Sequence, residues 1–409
     1  MLLPKRDPRP LFGIRVLELG RLVAAPFAAQ LLADLGADVV KVEHPKGDDY
    51  RQYGPSFLPD QDGEPTRLSS GFISNNRNKR SIAVDFSTPA GAELVKKLAD
   101  RADVFIENFK VGGLAKYGLD ERTLRDRNGR LVYLSITGFG QTGPYAARPA
   151  TDGAIQAMSG LQSLTGEIDG PPMRSGILLV DLMTGVYSAL AIVAALRHRD
   201  NVGTGQNIDM ALLDCAMASL ATSIAEYRTS GSPPTRQGNA QLGSVPARSF
   251  ACLDGEIQLQ AAFNSHFVRL CECFGLPEVA VDPRFAGRRE RACHETELNS
   301  ILEPQFAMRT VRQVHELLVA ADIICSPINS LPAALADPQV IARSLERDFE
   351  IPGISPISNI VNPIRFSDTP VTYDRPAPDI GEDTDEVIST WLGAMPDEIS
   401  DLRQMGAIE

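Results

Sequence analysis

The chain contains 409 residues and carries a formal net charge of −12, with a sequence pI near 5.0. This length suggests about two or three domains and excludes a small scaffold that depends on disulfide or metal cross-links. The acidic balance argues against a protein that binds nucleic acid through bulk positive charge, so an anionic ligand would need a local basic patch.

The six cysteines show no paired spacing of the metal-binding type, and Cys271 and Cys273 stand too close together for a zinc knuckle. We therefore expect reduced thiols, no bound metal and a cytoplasmic protein. Proline and charged residues near the N-terminus stand where an export signal needs an apolar core. The apolar run 177–196 is interrupted by Asp181, so we expect a buried helix rather than a membrane span.

The first half of the chain alternates strand-like and helix-like segments. A strand is predicted at 14–19, a helix at 27–35 between Pro26 and Gly36, and a second strand at 39–42. The alternation continues with strands at 81–86, 104–106 and 131–136 and a helix at 89–99. Strands interleaved with helices of about a dozen residues predict a doubly wound α/β layer.

The pattern changes in the second half. Helices are predicted at 181–198 and from 211 to about 228, and a Ser/Gly/Pro cluster at 229–234 indicates a domain boundary. Short strands and helices follow, which predict a smaller domain. Frequent prolines between 352 and 378 predict an extended linker, and 383–405 is predicted to be helical again.

Asp181 is the only charged residue in its apolar run, at the point where the run becomes helical. One interpretation is a helix N-cap, for which aspartate is a preferred residue. The other is a carboxylate nucleophile that the helix dipole keeps ionised despite burial. The two roles are compatible, and the residue pattern leaves both open.

Basic residues cluster before one predicted strand, at Arg77, Lys79 and Arg80, and after another, at Lys110 and Lys116. Doubly wound sheets bind ligands at the carboxyl ends of their strands, so Lys110 and Lys116 are suited to phosphate groups. A solvated surface is the alternative for both clusters.

Other site types lack support. The run 138–143 matches G-x-G-x-x-G, but Pro144 follows directly and no helix is predicted to open there, which argues against a nicotinamide site. The sequence contains neither H-E-x-x-H nor G-x-S-x-G, so zinc and serine hydrolases are also disfavoured.

Short motifs are spread over nearly the whole chain. They lie at 17–19, 35–43, 76–82, 107–109, 135–144, 181–185, 203–206, 238–239, 336–339 and 381–386. Together they resemble the family III coenzyme A transferases, which include formyl-CoA:oxalate and carnitine CoA-transferases. The runs 78–86 and 135–144 look most like the succinyl-CoA:glutarate type, which suggests a pair of dicarboxylates as acyl groups.

The resemblance implies that Asp181 is the nucleophile. Its carboxylate would attack an acyl-CoA thioester to give a mixed anhydride, and the CoA thiolate would then form an aspartyl-CoA thioester. An acceptor acid would reverse these steps. Burial fits this chemistry because water would hydrolyse the activated intermediates. The family has a mobile loop over this site, which places Gly238 and Asn239 beside it.

The same resemblance implies that coenzyme A is a substrate, with no permanently bound cofactor. Val84 and Phe86 match positions that pack on adenine, and the positions that match those holding the ribose phosphate and pyrophosphate are Asn108, Phe109, Lys110 and Lys116. The expected partners are an acyl-CoA, a carboxylate and a second copy of the chain, with no nucleic acid and no membrane.

The implied fold is an interlaced homodimer of ring-like subunits, each with a Rossmann-like large domain and a small α+β domain. The large domain is expected to comprise 1–200 and 380–409, and the small domain 229–340. The segments 201–228 and 341–379 would then be linkers.

The chain also departs from the family pattern. Gln241, Leu242 and Ala247 replace residues that many relatives have near the acyl pocket, and Asp383 stands where histidine is common. These departures indicate an altered acyl pocket. Arg174 and Arg248 are candidate partners for a substrate carboxylate.

Two alternative functions stay open. An α-methylacyl-CoA racemase pairs the aspartate with a histidine that would fall at Thr151, and threonine cannot exchange the α-proton at neutral pH. A non-catalytic acyl-CoA-binding subunit is the second alternative. Retention of Asp181 opposes it only weakly, since aspartate would also serve as a helix cap.

Overall fold

The structure is a computed structural model that describes residues 9–54, 56–354 and 356–409. The strands are β1 Arg15–Glu18, β2 Asp38–Glu43, β3 Phe57–Pro59, β4 Pro65–Ser69, β5 Lys79–Ala83, β6 Val104–Glu107, β7 Val132–Thr137, β8 Asn207–Ala211, β9 Ser249–Ala251, β10 Glu256–Gln260, β11 Ile324–Pro327, β12 Glu346–Phe349 and β13 Ile357–Ile360.

The α-helices are α1 Ala24–Asp34, α2 Ser70–Asn75, α3 Pro89–Ala99, α4 Glu121–Arg127, α5 Asp152–Met158, α6 Leu161–Leu164, α7 Leu179–Val202, α8 Leu212–Ser219, α9 Ala221–Ser230, α10 Asn264–Cys273, α11 Pro277–Ala280, α12 Arg288–Cys293, α13 Glu295–Ala307, α14 Val311–Ala320, α15 Leu331–Leu335, α16 Pro338–Ala342, α17 Thr384–Leu392 and α18 Pro396–Gln404. Short 3₁₀ helices lie at Asp49–Arg51, Ala115–Tyr117 and Pro283–Phe285.

A six-stranded parallel sheet organises the first half of the chain, in the order β5-β2-β1-β6-β7-β8. The strand order reverses between β1 and β6, as it does in doubly wound nucleotide-binding folds. The prediction of a mixed α/β fold with a central parallel sheet is therefore confirmed. The reversal predicts a ligand cleft at the carboxyl ends of β1 and β6.

The sheet is covered on both faces because its strands are apolar on both. Val16 and Val104 belong to the core that α1, α5, α7 and α8 cover. Their neighbours Leu17 and Phe105 belong to the opposite core, beneath α3, α4, α17 and α18. Successive side chains of a strand point to opposite faces, so a continuous apolar strand requires a helix layer on each side.

The chain divides into two compact units. The first comprises the residues up to Leu161 together with Ser175–Ala225 and Ser344–Glu409. It therefore includes much of 201–228 and 341–379, which the sequence predicted to be linkers. The reason is hydrogen bonding, because β8 is the edge strand of the parallel sheet and β12 pairs with β13.

The second unit comprises Gln162–Arg174 and Glu226–Arg343. Its three-stranded sheet has the order β11-β10-β9 and is antiparallel. Its own core contains Phe250 and Phe306, whose rings stack with centroids 4.2 Å apart.

Two predicted helices are interrupted. The segment 211–228 breaks at Leu220 between α8 and α9. The segment 383–405 breaks after Gly393, which ends α17 with a φ of 71°. Glycine adopts this left-handed conformation without a Cβ clash, so it stops the helix there.

Helix α7 is apolar and closely packed at its start. By length and composition alone it could cross a membrane, and 44% of its most apolar window is buried inside the protein. A Cβ on Gly185 would lie 2.8 Å from Phe27 of α1, so a larger residue would push the two helices apart. This close approach holds the second turn of α7 against α1.

Candidate active site

Asp181 is the third residue of α7, and its side chain is partly buried. Leu178 occupies the N-cap position and makes no side-chain capping bond. The interpretation of Asp181 as the cap is therefore wrong. Its carboxylate is not used by the backbone N–H groups of its own helix, which leaves it available for chemistry.

Asp152 performs the capping from a different helix. It is the first residue of α5 and is only 2% exposed. Its Oδ2 accepts hydrogen bonds from the backbone nitrogens of Val180, at 2.8 Å, and Asp181, at 3.1 Å. A carboxylate at this position satisfies backbone donors that a helix start leaves free.

Gln156 completes this arrangement from within α5. Its Nε2 donates to Oδ1 of Asp152 at 2.6 Å, and its Oε1 accepts from the backbone nitrogen of Ser175 at 2.8 Å. Both side chains of the Asp152–Gln156 pair are buried. The pair therefore fixes the segment that leads into Asp181.

The pKa of Asp181 is raised to about 7, first by burial and second by the negative charge of Asp152. Both effects favour the protonated form of this carboxyl, in the direction opposite to that expected from the helix dipole. A poorly solvated carboxylate whose pKa lies near neutrality is reactive as a nucleophile once it is deprotonated.

A cavity of about 410 Å³ lies at the carboxyl edge of the parallel sheet. It is lined by residues that follow β1, end and follow β2, follow β5 and follow β6. The loops after β1 and β6 are joined by two hydrogen bonds between the Asn108 side chain and the Arg21 backbone, at 2.8 and 2.9 Å. The cavity thus opens where the strand order reverses.

One wall of this cavity is aromatic. The ring of Phe86 lies edge-on to Phe109, at 5.9 Å between centroids, and to Tyr117, at 5.4 Å. Such rings offer flat apolar surface to a planar ligand.

Three of the six residues predicted to bind CoA line this cavity, namely Phe86, Phe109 and Lys116. The other three do not. Val84 is fully buried in the core, Asn108 joins two loops as described, and Lys110 is exposed. Val84 belongs to the core beneath α3, α4, α17 and α18, and Phe86 packs against that same core.

The cavity is also lined by two cations that the sequence did not single out, Arg21 and Lys46, and by the imidazole of His44. The Arg21 guanidinium lies 4.7 Å from the Phe109 ring centroid, and Lys116 Nζ lies 4.6 Å from that of Tyr117. The sequence signal for Arg21 is its position three residues after the end of β1, in a loop at the carboxyl edge of the sheet.

Buried ion pairs form the floor beneath the cavity. Lys41 Nζ contacts Asp48 at 2.9 Å and Glu18 at 3.2 Å, and Lys79 Nζ contacts Glu18 at 2.8 Å. Burial lowers the pKa of Lys79 to about 8 despite Glu18. For Lys41 burial acts in the same direction, but the neighbouring carboxylates raise its pKa overall. These paired charges hold the loops after β1 and β2 in place.

Gly238 and Asn239 belong to the second unit. Gly238 has a φ of 57° and its backbone nitrogen donates to Gly166 at 3.2 Å. The Asn239 side chain donates to Ser249 at 3.2 Å. These two hydrogen bonds anchor the segment that contains Gly238 and Asn239.

The second unit also contains Gln241, Leu242, Ala247, Arg174 and Arg248, whereas Asp383 lies in the first unit. The backbone nitrogen of Gln241 donates to the Ala247 carbonyl at 2.9 Å. Arg248 pairs with Glu303 at 3.6 Å, and Arg174 is exposed. Within the described residues, no cluster of three or more His, Cys, Asp and Glu side chains is suited to a metal ion.

Comparison with known proteins identifies the family. The model of CoA-transferase family III matches residues 11–384. A succinate–glutarate CoA-transferase from Agrobacterium fabrum is 46% identical over 389 residues, which cover 95% of this chain and 96% of that protein. A mouse succinyl-CoA:glutarate CoA-transferase is 36% identical, covering 98% of this chain and 91% of the relative.

A solved structure agrees with these sequence matches. The crystal structure of a CAIB/BAIF family protein from Brucella suis is 40% identical and superposes with a TM-score of 0.85, covering 93% of this chain and 99% of that one. The chain belongs to CoA-transferase family III.

Proposed function

We propose that the protein transfers CoA from succinyl-CoA to a second dicarboxylate, with Asp181 as the covalent nucleophile. The observation that carries the mechanism is the placement of Asp181, partly buried and positioned through its backbone by Asp152. The choice of dicarboxylates is supported by the relatives that are named succinyl-CoA:glutarate and succinyl-CoA:D-citramalate CoA-transferases.

The proposed reaction begins when an oxygen of Asp181 attacks the thioester carbonyl of succinyl-CoA. The carbon–sulfur bond breaks, giving a succinyl-aspartyl anhydride and CoA thiolate. The thiolate then attacks the aspartyl carbonyl, releasing succinate and leaving an aspartyl-CoA thioester. The acceptor carboxylate attacks this thioester, and the returning thiolate takes the acyl group from the new anhydride and frees Asp181.

We place the nucleotide end of CoA in the cavity at the carboxyl edge of the sheet. The aromatic wall around Phe86 and Phe109 suits adenine, and the cations at Arg21, Lys46 and Lys116 suit the phosphates. Asn108 would contribute by holding the Arg21 loop, and Val84 by supporting the strand beneath Phe86. Lys110 would contribute only long-range positive potential.

We propose further that Gly238 and Asn239 cover the reacting thioester, as the family resemblance implies, and that Asn239 or the backbone beside it stabilises the tetrahedral oxyanion. The positive φ of Gly238 supports a loop of unusual backbone geometry at this point. The altered residues Gln241, Leu242 and Ala247 would then shape the acyl pocket.

A homodimer is part of the proposal. Val186, Leu190 and Val193 lie on one exposed stripe of α7, and Leu190 is 62% exposed. Apolar residues at this helical spacing form a continuous surface that a partner can cover. The family resemblance supports an interlaced arrangement of the two subunits.

The experiment is a panel of acyl-CoA donors, including succinyl-CoA, tested against mono- and dicarboxylate acceptors with products read by mass spectrometry. Glutarate and related dicarboxylates are expected to be the best acceptors. Asp181→Ala should lose transfer but retain CoA binding, whereas the exposed Asp126→Asn should retain both. Transfer by Asp181→Ala near the parent rate would refute the nucleophile, and wash-in of solvent deuterium at the α-carbon of a 2-methylacyl-CoA would instead indicate a racemase.

A further inference from the structure

A second cavity lies at the opposite edge of the parallel sheet. Its volume is about 650 Å³, and it is bounded by the amino-terminal ends of β1, β2 and β5 and by the turn before β6. This volume is in the range of small-molecule sites. Five arginines line it: Arg9, Arg15, Arg80, Arg101 and Arg375. The density of guanidinium groups is notable in a chain with a net charge of −12.

The three acidic residues of this cavity are already engaged. Asp38 accepts a bidentate pair from Arg80, at 2.6 to 3.1 Å, and a bond from the Trp391 indole at 2.8 Å. Asp103 is held by Arg199, which is not a lining residue, at 2.6 Å. Since their charges are compensated, these carboxylates do little to oppose an incoming anion.

The third acid, Asp374, pairs with Arg9 at 2.8 Å. Arg375 pairs with Asp383 at 2.9 Å, outside the cavity lining. Both pairs are partly exposed to solvent. Each carboxylate near the cavity is therefore paired with an arginine. Two arginines of the lining, Arg15 and Arg101, are not used in these pairs.

Within residues 9–54, 56–354 and 356–409, the guanidinium groups of Arg15 and Arg101 make no ion pair with an acidic side chain. The backbone nitrogen of Arg15 donates to Oδ2 of Asp103 at 2.8 Å. The Arg15 guanidinium lies over the Trp391 ring, 5.2 Å from its centroid, which orients it without neutralising it. Arg101 is exposed, two residues before Asp103. The backbone of Asp103 is tied to that of Arg15 by a 2.8 Å bond from its nitrogen to the Arg15 carbonyl, so both arginines border the same wall.

We propose that this cavity is a second anion site, for a small polyanion with at least two phosphate or carboxylate groups, separate from the CoA cavity. Two uncompensated guanidiniums favour such a ligand because each can form paired charge-assisted hydrogen bonds with an oxyanion. The two cavities lie at opposite edges of the parallel sheet. Arg15, in this cavity, is the first residue of β1, and Glu18, beneath the cavity proposed for CoA, is the last.

The basic cluster at Arg77, Lys79 and Arg80 acquires a role in this arrangement. Arg77 is paired with Asp34 at 2.6 Å, and Lys79 is buried against Glu18. Only Arg80 reaches the cavity, where it holds Asp38. Arg80 therefore forms part of the wall through its pair with Asp38, whereas Arg77 and Lys79 lie outside the cavity lining.

The test is calorimetric titration of the full chain, saturated with CoA, with pyrophosphate in one experiment and citrate in another. We expect at least one of the two to bind at one site per chain, which also distinguishes a phosphate ligand from a carboxylate ligand. Arg101→Gln should weaken that binding about tenfold, and Arg15→Gln should do the same. The matched control Arg122→Gln, an exposed arginine on α4, should leave it unchanged.

Three results would overturn the site. These are no binding of either anion, binding that Arg101→Gln and Arg15→Gln leave unchanged, and binding that appears only when CoA is removed. Arg101→Gln is the decisive variant because Arg15 also packs on Trp391, so its loss has a structural effect. CoA transfer by Arg101→Gln in the absence of added anion should match the parent, which separates this proposal from that for Asp181.

Discussion

Asp152 lies 3.1 Å from the backbone nitrogen of Asp181, through Oδ2, while its charge raises the pKa of the Asp181 carboxyl. One side chain thus fixes the position of the nucleophile and reduces its ionisation. The combination keeps Asp181 poorly solvated, which is the condition that an anhydride intermediate requires. Asp152 is a positioning residue, since it acts through the backbone of α7.

The pH dependence of transfer should report this relationship. Because Asp181 must be deprotonated to attack and its pKa is about 7, kcat/KM should fall as the pH is lowered through 7. Asp152→Asn keeps an acceptor oxygen but removes the charge, so the pKa of Asp181 should fall. The acidic limb of the profile should move to lower pH, by on the order of half a pH unit or more.

The measurement for Asp152→Asn is a pH profile of kcat/KM, with the exposed Asp126→Asn as the matched control. A purely structural role for Asp152 would lower activity at every pH and leave the limb in place. If the acidic limb of the Asp152→Asn profile stays at the parent pH, the charge of Asp152 does not raise the pKa of Asp181.

Two lysines on the loop after β6 provide a matched pair for CoA binding. Lys116 lines the cavity and Lys110 does not. Lys116→Gln should weaken CoA binding about tenfold because a charge-assisted phosphate contact is lost, whereas Lys110→Gln should change it by less than about twofold. Calorimetric titration with CoA checks this, and equal effects from both variants would show that the cavity does not hold the phosphates.

Glu107, at the end of β6, should make the protein less stable as the pH rises. It is 6% exposed, and burial raises its pKa from 4.5 to about 7, against hydrogen bonds from Ser135 and the Phe109 backbone. The folded state therefore holds a proton that the unfolded state has lost. Stability falls as the pH rises from about 4.5 to 7, by up to about 3 kcal/mol.

Glu107→Gln removes this titration. Relative to the parent, the variant should therefore have a higher Tm at pH 8 than it has at pH 5. Thermal unfolding of both proteins at the two pH values measures this difference. The exposed Glu350→Gln is the control and should show the same difference at both pH values. A difference for Glu107→Gln that does not vary with pH would disprove the buried titration.

The exposed stripe of α7 predicts how the protein assembles. Leu190→Arg should be tolerated by the isolated fold, because this side chain is already 62% exposed, but should place a charge in the proposed subunit contact. Sedimentation velocity should show a dimer for the parent and for Val319→Arg, a matched variant on α14, and a monomer for Leu190→Arg. If Leu190→Arg is still a dimer, the subunit contact does not include this stripe of α7.

The parallel sheet and its coverage on both faces were predictable because strand and helix periodicities are local. Val16 and Leu17 alternate between two cores within one strand, and this continuous apolar pattern is visible in the sequence. The membership of β8 in the sheet was not predictable in this way. Its exposed and half-buried alternation resembles a surface segment, and only pairing with β7 shows its role.

The candidate site was predictable only in part, for a similar reason. Asp181 stands out as a charge in an apolar run, and the family motifs point to Phe86, Phe109 and Lys116. Asp152 is separated from Asp181 by 29 positions, and its capping bond depends on how α5 packs beside α7. No local pattern contains that contact, so the sequence offered Asp181 as a candidate cap and did not point to Asp152.

The central claim is that CoA becomes attached to Asp181 during transfer. The direct measurement is to incubate the protein with succinyl-CoA, quench with hydroxylamine, and locate the modification by peptide mass spectrometry. We expect a hydroxamate on Asp181 that is absent without succinyl-CoA and absent in Asp181→Ala. An unmodified Asp181 in a sample that is demonstrably transferring CoA would contradict it.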